Sequence, residues 1–159
     1  MYSKVKIAGH PIHPMLVAFP VAFYTAAFVG YVYYNSHPDP FWFKVALLAN
    51  AAGVCTAVLA ALPGFIDWIG IPSGLPPKRT GVLHMLCNVI ALGLFGYNWY
   101  VECNQWESAN PVLGNSVILT GAGLLITIIA GFLGWTLVQK HHAGVDPLRA
   151  KELVEREKH

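Results

Sequence analysis

Charge is what this sequence has least of. Only 11% of its 159 residues are Asp, Glu, Lys or Arg, against about 25% in ordinary soluble chains. So few charged groups cannot screen an apolar fraction of 55% from water, so the bilayer must be part of the solvent. Other absences narrow the function. No basic tract with interleaved aromatics is present, which argues against a nucleic-acid partner. The three cysteines, Cys55, Cys87 and Cys103, form neither a C-x-x-C pair nor an even-numbered framework, and read as structural. No H-E-x-x-H, nucleophile elbow or phosphate-binding loop occurs. The first apolar run follows a polar lead and lacks a small-residue cleavage site, so it reads as a retained span rather than a signal peptide. No internal repeat or low-complexity segment stands out.

What is present is long apolar sequence. Four stretches, Met15–Tyr34, Val45–Ile66, Val82–Val101 and Val112–Val138, contain no Asp, Glu, Lys or Arg. About 20 residues of helix cross a hydrocarbon core of about 30 Å, and backbone groups in lipid must be paired within their own segment. The expectation is an all-α fold: a four-transmembrane-helix up-down bundle over residues 1–145, followed by a short polar tail at 146–159. Prolines and polar residues punctuate it. Asn35–Pro40 and Asn110-Pro111 predict loops, and Pro72, Gly74, Pro76 and Pro77 predict a non-helical link across Ile71–Thr80. Gly121, Gly123, Gly131 and Gly134 predict close packing of the fourth helix.

Lysine and arginine set the expected orientation. Lys4, Lys6, Lys78, Arg79, Lys140 and the tail cations fall on the side of the N-terminus, while the other side holds Lys44. Positive charge stays in the cytoplasm, so both termini are expected there, in a multi-pass protein. Tyr31, Tyr33, Tyr34, Trp42, Tyr97, Trp99, Tyr100 and Trp106 are expected as an aromatic belt at the opposite interface.

The same topology gathers histidines. His10 and His13 precede the first helix, Asp67 ends the second, His84 lies in the first turn of the third, and His141 and His142 follow the fourth. All are expected at one membrane face. His84 faces the bundle if Asn88, one turn on, marks its polar side, and intramembrane ionisable groups mark sites. His10-Pro11 and His13-Pro14 predict a stiff extended lead. Helices one and three are parallel and diagonal in such a bundle, so His13 and His84 can face each other across its core. That suits a bis-histidine haem b, with Lys78, Arg79 and Lys140 as cations for its propionates and His10, His141 and His142 as further cofactor-binding candidates. The expected function is a b-type cytochrome-like carrier of single electrons, exchanging with quinone or a redox protein. The alternative is a non-haem metal enzyme in which His10, His13, His84 and Asp67 hold zinc or iron. A third reading is a silent subunit of a larger membrane redox complex.

At these residues the chain resembles DUF2231, a family of bacterial four-helix membrane proteins. The likeness rests on Gly9-His10-Pro11-Ile12-His13-Pro14, Gly64-Phe65-Ile66-Asp67-Trp68, Pro72-Ser73-Gly74, Gly81-Val82-Leu83-His84 with Asn88, and Gly134-Trp135-Thr136-Leu137-Val138-Gln139-Lys140-His141 with Gly144-Val145. It implies a four-helix domain in a bacterial inner membrane, with these histidines as its shared polar feature. Relatives fused to Rieske-type domains imply a redox setting. The chain departs from the family pattern at Trp135, Thr136 and His142, which narrows the space beside helix four and leaves His141 or His142 as the relevant ligand.

Overall fold

A computed structural model describes residues 3–143; the predicted polar tail at 146–159 lies outside them. Two two-residue strands, β1 (Lys6–Ile7) and β2 (His10–Pro11), pair antiparallel. Between them Ala8 and Gly9 both have positive φ, as the tightest hairpin turns require. Helices follow: α1 (Ile12–Leu16), α2 (Ala18–Ser36), α3 (Pro40–Ile69), α4 (Pro76–Glu102) and α5 (Ser116–Gln139), with a 3-10 turn at Cys103–Gln105. Four spans result, with α1 and α2 acting as one, and each is long and apolar enough to cross a membrane.

The boundaries differ from those expected in instructive ways. Pro76 and Pro77 do not block the third span; they open α4 at its first positions, where a missing N–H costs nothing. The link shrinks accordingly, and His84 sits in the third turn of α4 rather than the first. The fourth helix starts at Ser116 instead of Val112. The first span breaks at Val17 because Pro20 lacks an N–H and its ring crowds the carbonyl of Leu16. His13 is therefore helical, in α1, and only His10-Pro11 keeps the extended form expected of both pairs.

The surface of the bundle is apolar: Val29, Leu48, Leu59, Val89, Ile118 and Phe132 all point outward, as lipid demands. Tyr31 and Tyr34 depart from the expected belt. Both are buried and pack with Phe43, Ala46 and Leu47, and the Tyr34 hydroxyl donates to the Pro111 carbonyl at 2.6 Å. Tyr33, Trp42, Tyr97, Trp99 and Tyr100 are exposed.

The packing also reveals a repeat that the sequence does not display. Helices α2 with α3, and α4 with α5, form two tightly packed hairpins, joined by two lesser interfaces, α3 with α4 and α2 with α5. A shift of 71 residues carries the first helix of one hairpin onto that of the other, and 70 carries the second. Tyr24 lies against Gly53, and its counterpart Phe95 lies against Gly123; a Cβ at either glycine would come within 2.5 Å and 2.6 Å of the ring. Tyr24 and Phe95 then stack on each other, centroids 3.7 Å apart and 3° from parallel. Contact between equivalent residues defines a pseudo-two-fold axis running through the bundle along the membrane normal, the geometry of parallel internal repeats.

Candidate functional site: a histidine pair on the pseudo-two-fold axis

The second axial pair is His13 and His84, whose ring centroids are 6.1 Å apart with planes at 88°. Each is held identically. His13 Nδ1 lies 2.8 Å from the Ala60 carbonyl and His84 Nδ1 lies 2.8 Å from the Ala130 carbonyl. A carbonyl accepts only, so each Nδ1 carries the proton and each Nε2 keeps its lone pair. One turn beyond each carbonyl is a glycine on which the ring rests. A Cβ on Gly64 would meet His13 at 2.7 Å, and one on Gly134 would meet His84 at 3.1 Å. Pro63 withholds a donor from Leu59 and loosens the turn of α3 that presents Ala60. Both histidines are partly buried. The Asn88 side-chain amide donates to the His84 carbonyl at 2.8 Å and lies 3.3 Å from His84 Nε2.

The other expected site residues are elsewhere engaged. His10 is exposed on β2, with Nδ1 3.0 Å from the Ala8 carbonyl. Asp67 accepts from the Ser3 hydroxyl at 2.7 Å and from the Lys4 and Val5 amides at 2.6 and 3.4 Å. Its work is to dock the N-terminal segment onto the end of α3. Among the described residues no three of His, Cys, Asp and Glu gather to hold an ion; of the expected set of His10, His13, His84 and Asp67, only His13 and His84 lie in ring contact. Lys78 donates to the Trp68 carbonyl at 2.9 Å and sits 3.7 Å above the Trp68 ring, so its charge is committed to capping α3. Arg79 is exposed. His141 Nε2 is 3.5 Å from the Thr80 hydroxyl, and His142 is exposed with a left-handed backbone. Of the five histidines expected at the cofactor site, the bundle brings two, His13 and His84, into ring contact.

One group escaped the sequence reading. Glu102 directly follows the third apolar run and is 2% exposed. Its carboxylate accepts from the Ser116 hydroxyl and the Gln105 amide, while Gln105 also holds the Val112 amide and carbonyl. The available signal was an acid adjoining an apolar run with Asn98 one turn before it. Its place just past the end of that run suits a loop as well as a bundle interior, so position alone does not mark it.

Fold and site thus define a four-span membrane protein whose two helical hairpins meet through a pair of interior histidines. The chain belongs to DUF2231, described as predicted membrane proteins, whose family pattern matches residues 9–147. No curated protein and no solved structure matches it.

Proposed function

We propose that His13 and His84 are the axial ligands of one haem b and that the protein carries single electrons in the membrane. The observation that carries this reading is the pair of Nε2 lone pairs on rings 6.1 Å apart. Metal–nitrogen bonds of about 2 Å put two imidazoles that share one ion about 6 Å apart, centroid to centroid. A proton on Nδ1 held by a backbone carbonyl is also what orients a ligating histidine and raises its basicity. Among the described residues two candidate ligands lie together, which suits a macrocycle that brings four nitrogens of its own better than a non-haem site, since zinc sites take three or four protein ligands. The buried residues between the histidine pair and the Tyr24–Phe95 pair include Pro20, Ala60, Ala91 and Ala130, so helix spacing rather than bulky side chains sets the width there. Haem, when bound, supplies one-electron chemistry whose potential the axial ligands and burial tune.

Lipid-soluble quinone is the favoured exchange partner, with a redox protein or a larger membrane complex as the other settings. Ile128, Gly131, Phe132 and Trp135 line a shallow, open apolar groove on the outward face of the stretch of α5 that holds His84. The excess of Lys and Arg at the histidine end argues that this end is cytoplasmic, in the bacterial inner membrane that the family resemblance implies. In a cysteine-free background, Lys6→Cys should then react with an impermeant thiol reagent only in opened cells; labelling of intact cells would reverse the orientation.

An oxidised-minus-reduced visible spectrum of the detergent-purified protein tests the haem. Sharp reduced α and Soret bands, lost in His13→Ala and in His84→Ala, are expected. A featureless spectrum after haem-sufficient expression would leave the pair as a staple between hairpins.

A further inference from the structure

The end of the bundle remote from the histidines holds a second polar centre. Eighteen residues separate His84 from Glu102 along α4, about 27 Å at the helical rise, so this centre stands independently of the haem reading. Glu102 has no cationic partner among its hydrogen bonds; Ser116 and Gln105 are both neutral. The Tyr31 phenol, from α2, neighbours the Asn98 amide, and Tyr31 is the residue that the 71-residue shift carries onto Glu102. Asn98 and Tyr31 are both 0% exposed. Yet the Asn98 Nδ2 and Oδ1 and the Tyr31 hydroxyl have no hydrogen-bond partner, and Asn50, whose Nδ2 donates to the Phe95 carbonyl at 3.1 Å, leaves its Oδ1 unpartnered.

Unpaired polar atoms in a bundle interior cost about 1–3 kcal/mol each, and natural proteins meet that cost with ordered water, which makes about three hydrogen bonds. The group must therefore offer both a donor and an acceptor. A metal cation could use Asn98 Oδ1 and Tyr31 but not Asn98 Nδ2. Water can use all of them, and it extends the network toward a carboxylate that no cation pins in its charged form.

We infer that Asn98, Tyr31 and Glu102 form a hydrated proton-binding site near the membrane face opposite the histidine pair, with Glu102 as the group that takes up and releases the proton. The only bond made or broken is O–H, and the proton comes from and returns to water at that face. Ser116 and Gln105 position the carboxylate. Ser116 lies at the start of α5, and the loop that Gln105 ties down lies between it and α4. Tyr31, from α2, is a second titratable side chain at the site; α4 adds Asn98, and Asn50 of α3 donates to the α4 backbone at Phe95, three residues before Asn98.

Infrared difference spectroscopy of the full-length protein in detergent, titrated with pH in light and heavy water, is the test. A single protonated-carboxyl band should come and go with pH and be lost in Glu102→Gln. In Asn98→Leu, which removes the hydrating amide, its midpoint should move by at least about one pH unit, a tenfold change in proton affinity. Tyr31→Phe keeps the ring packing and should shift the same midpoint by less, so the idea stays testable should Glu102→Gln fail to fold. A band that persists in Glu102→Gln, a carboxyl frozen in one state at every pH, or a band displaced by sodium at constant pH would each overturn the assignment.

Discussion

The two hairpins of this bundle agree at one end and disagree at the other. At the histidine end the first hairpin presents His13, Ala60 and Gly64, and the second answers with His84, Ala130 and Gly134, each making the same contact. At the far end Ala27, Tyr31 and Ala46 of the first hairpin stand where the second has Asn98, Glu102 and Ser116. Apolar and aromatic residues thus face a polar set across the same axis. Symmetry is kept where like side chains of the two halves meet on the axis, since each ring then needs the same carbonyl and the same clearance from its own hairpin. It is lost where a carboxylate needs hydrogen-bond donors from its own hairpin and packing from the other.

That contrast yields graded tests. The largest effects should come from the glycines beneath the histidines. Gly64→Ala places a methyl 2.7 Å from the His13 ring and Gly134→Ala places one 3.1 Å from His84, and overpacking costs about 1–3 kcal/mol. Thermal unfolding in detergent should rank Gly64→Ala as the more damaging, since its methyl comes closer to the ring; the reverse order would contradict that difference in clearance. Next, Asp67→Ala should free the N-terminal segment, because three hydrogen bonds to Ser3, Lys4 and Val5 are lost, at about 1–2 kcal/mol by the usual worth of bonds to a charged group. Faster amide exchange confined to the segment around residues 3–12, with the histidine contacts intact, is the expected reading. The smallest effect should be Tyr24→Phe, which makes the stacked pair identical on both sides. The Tyr24 hydroxyl is buried without a partner, so its removal should leave stability unchanged or raise it by up to about 1 kcal/mol. A clear loss would mean that hydration reaches past Asn50 toward the middle of the bundle.

How far the site was legible from the residues depends on what each residue does. His84 could be singled out because it interrupts an apolar run, and a polar group in a span is costly enough to need a reason. His10, His13, Asp67, Lys78 and His141 could be assigned to the same face by counting spans. Counting fixes depth but not direction, and each backbone amide or carbonyl at a helix end competes for these side chains. Asp67 went to the free amides of the N-terminal segment, and Lys78 went to the carbonyl of Trp68, where a helix end offers an acceptor. Tyr31 and Tyr34 show the same limit, since an aromatic near an interface can face lipid or core at equal depth.

By itself the sequence determined the class of protein, the number of spans and their antiparallel order. Runs of uncharged residues long enough to cross the bilayer leave the backbone only helical ways to pair its own groups. It did not disclose the two-fold relation, because identities such as His13 with His84 and Gly64 with Gly134 are scattered among residues that differ, as Tyr24 with Phe95 and Pro63 with Leu133. Only the tertiary structure decided that His13 and His84 meet each other while His10 and Asp67 turn away, and that Glu102 lies inside the bundle. Those outcomes depend on which glycine leaves room for a ring and which carbonyl waits one turn before it, and both are properties of a neighbouring helix.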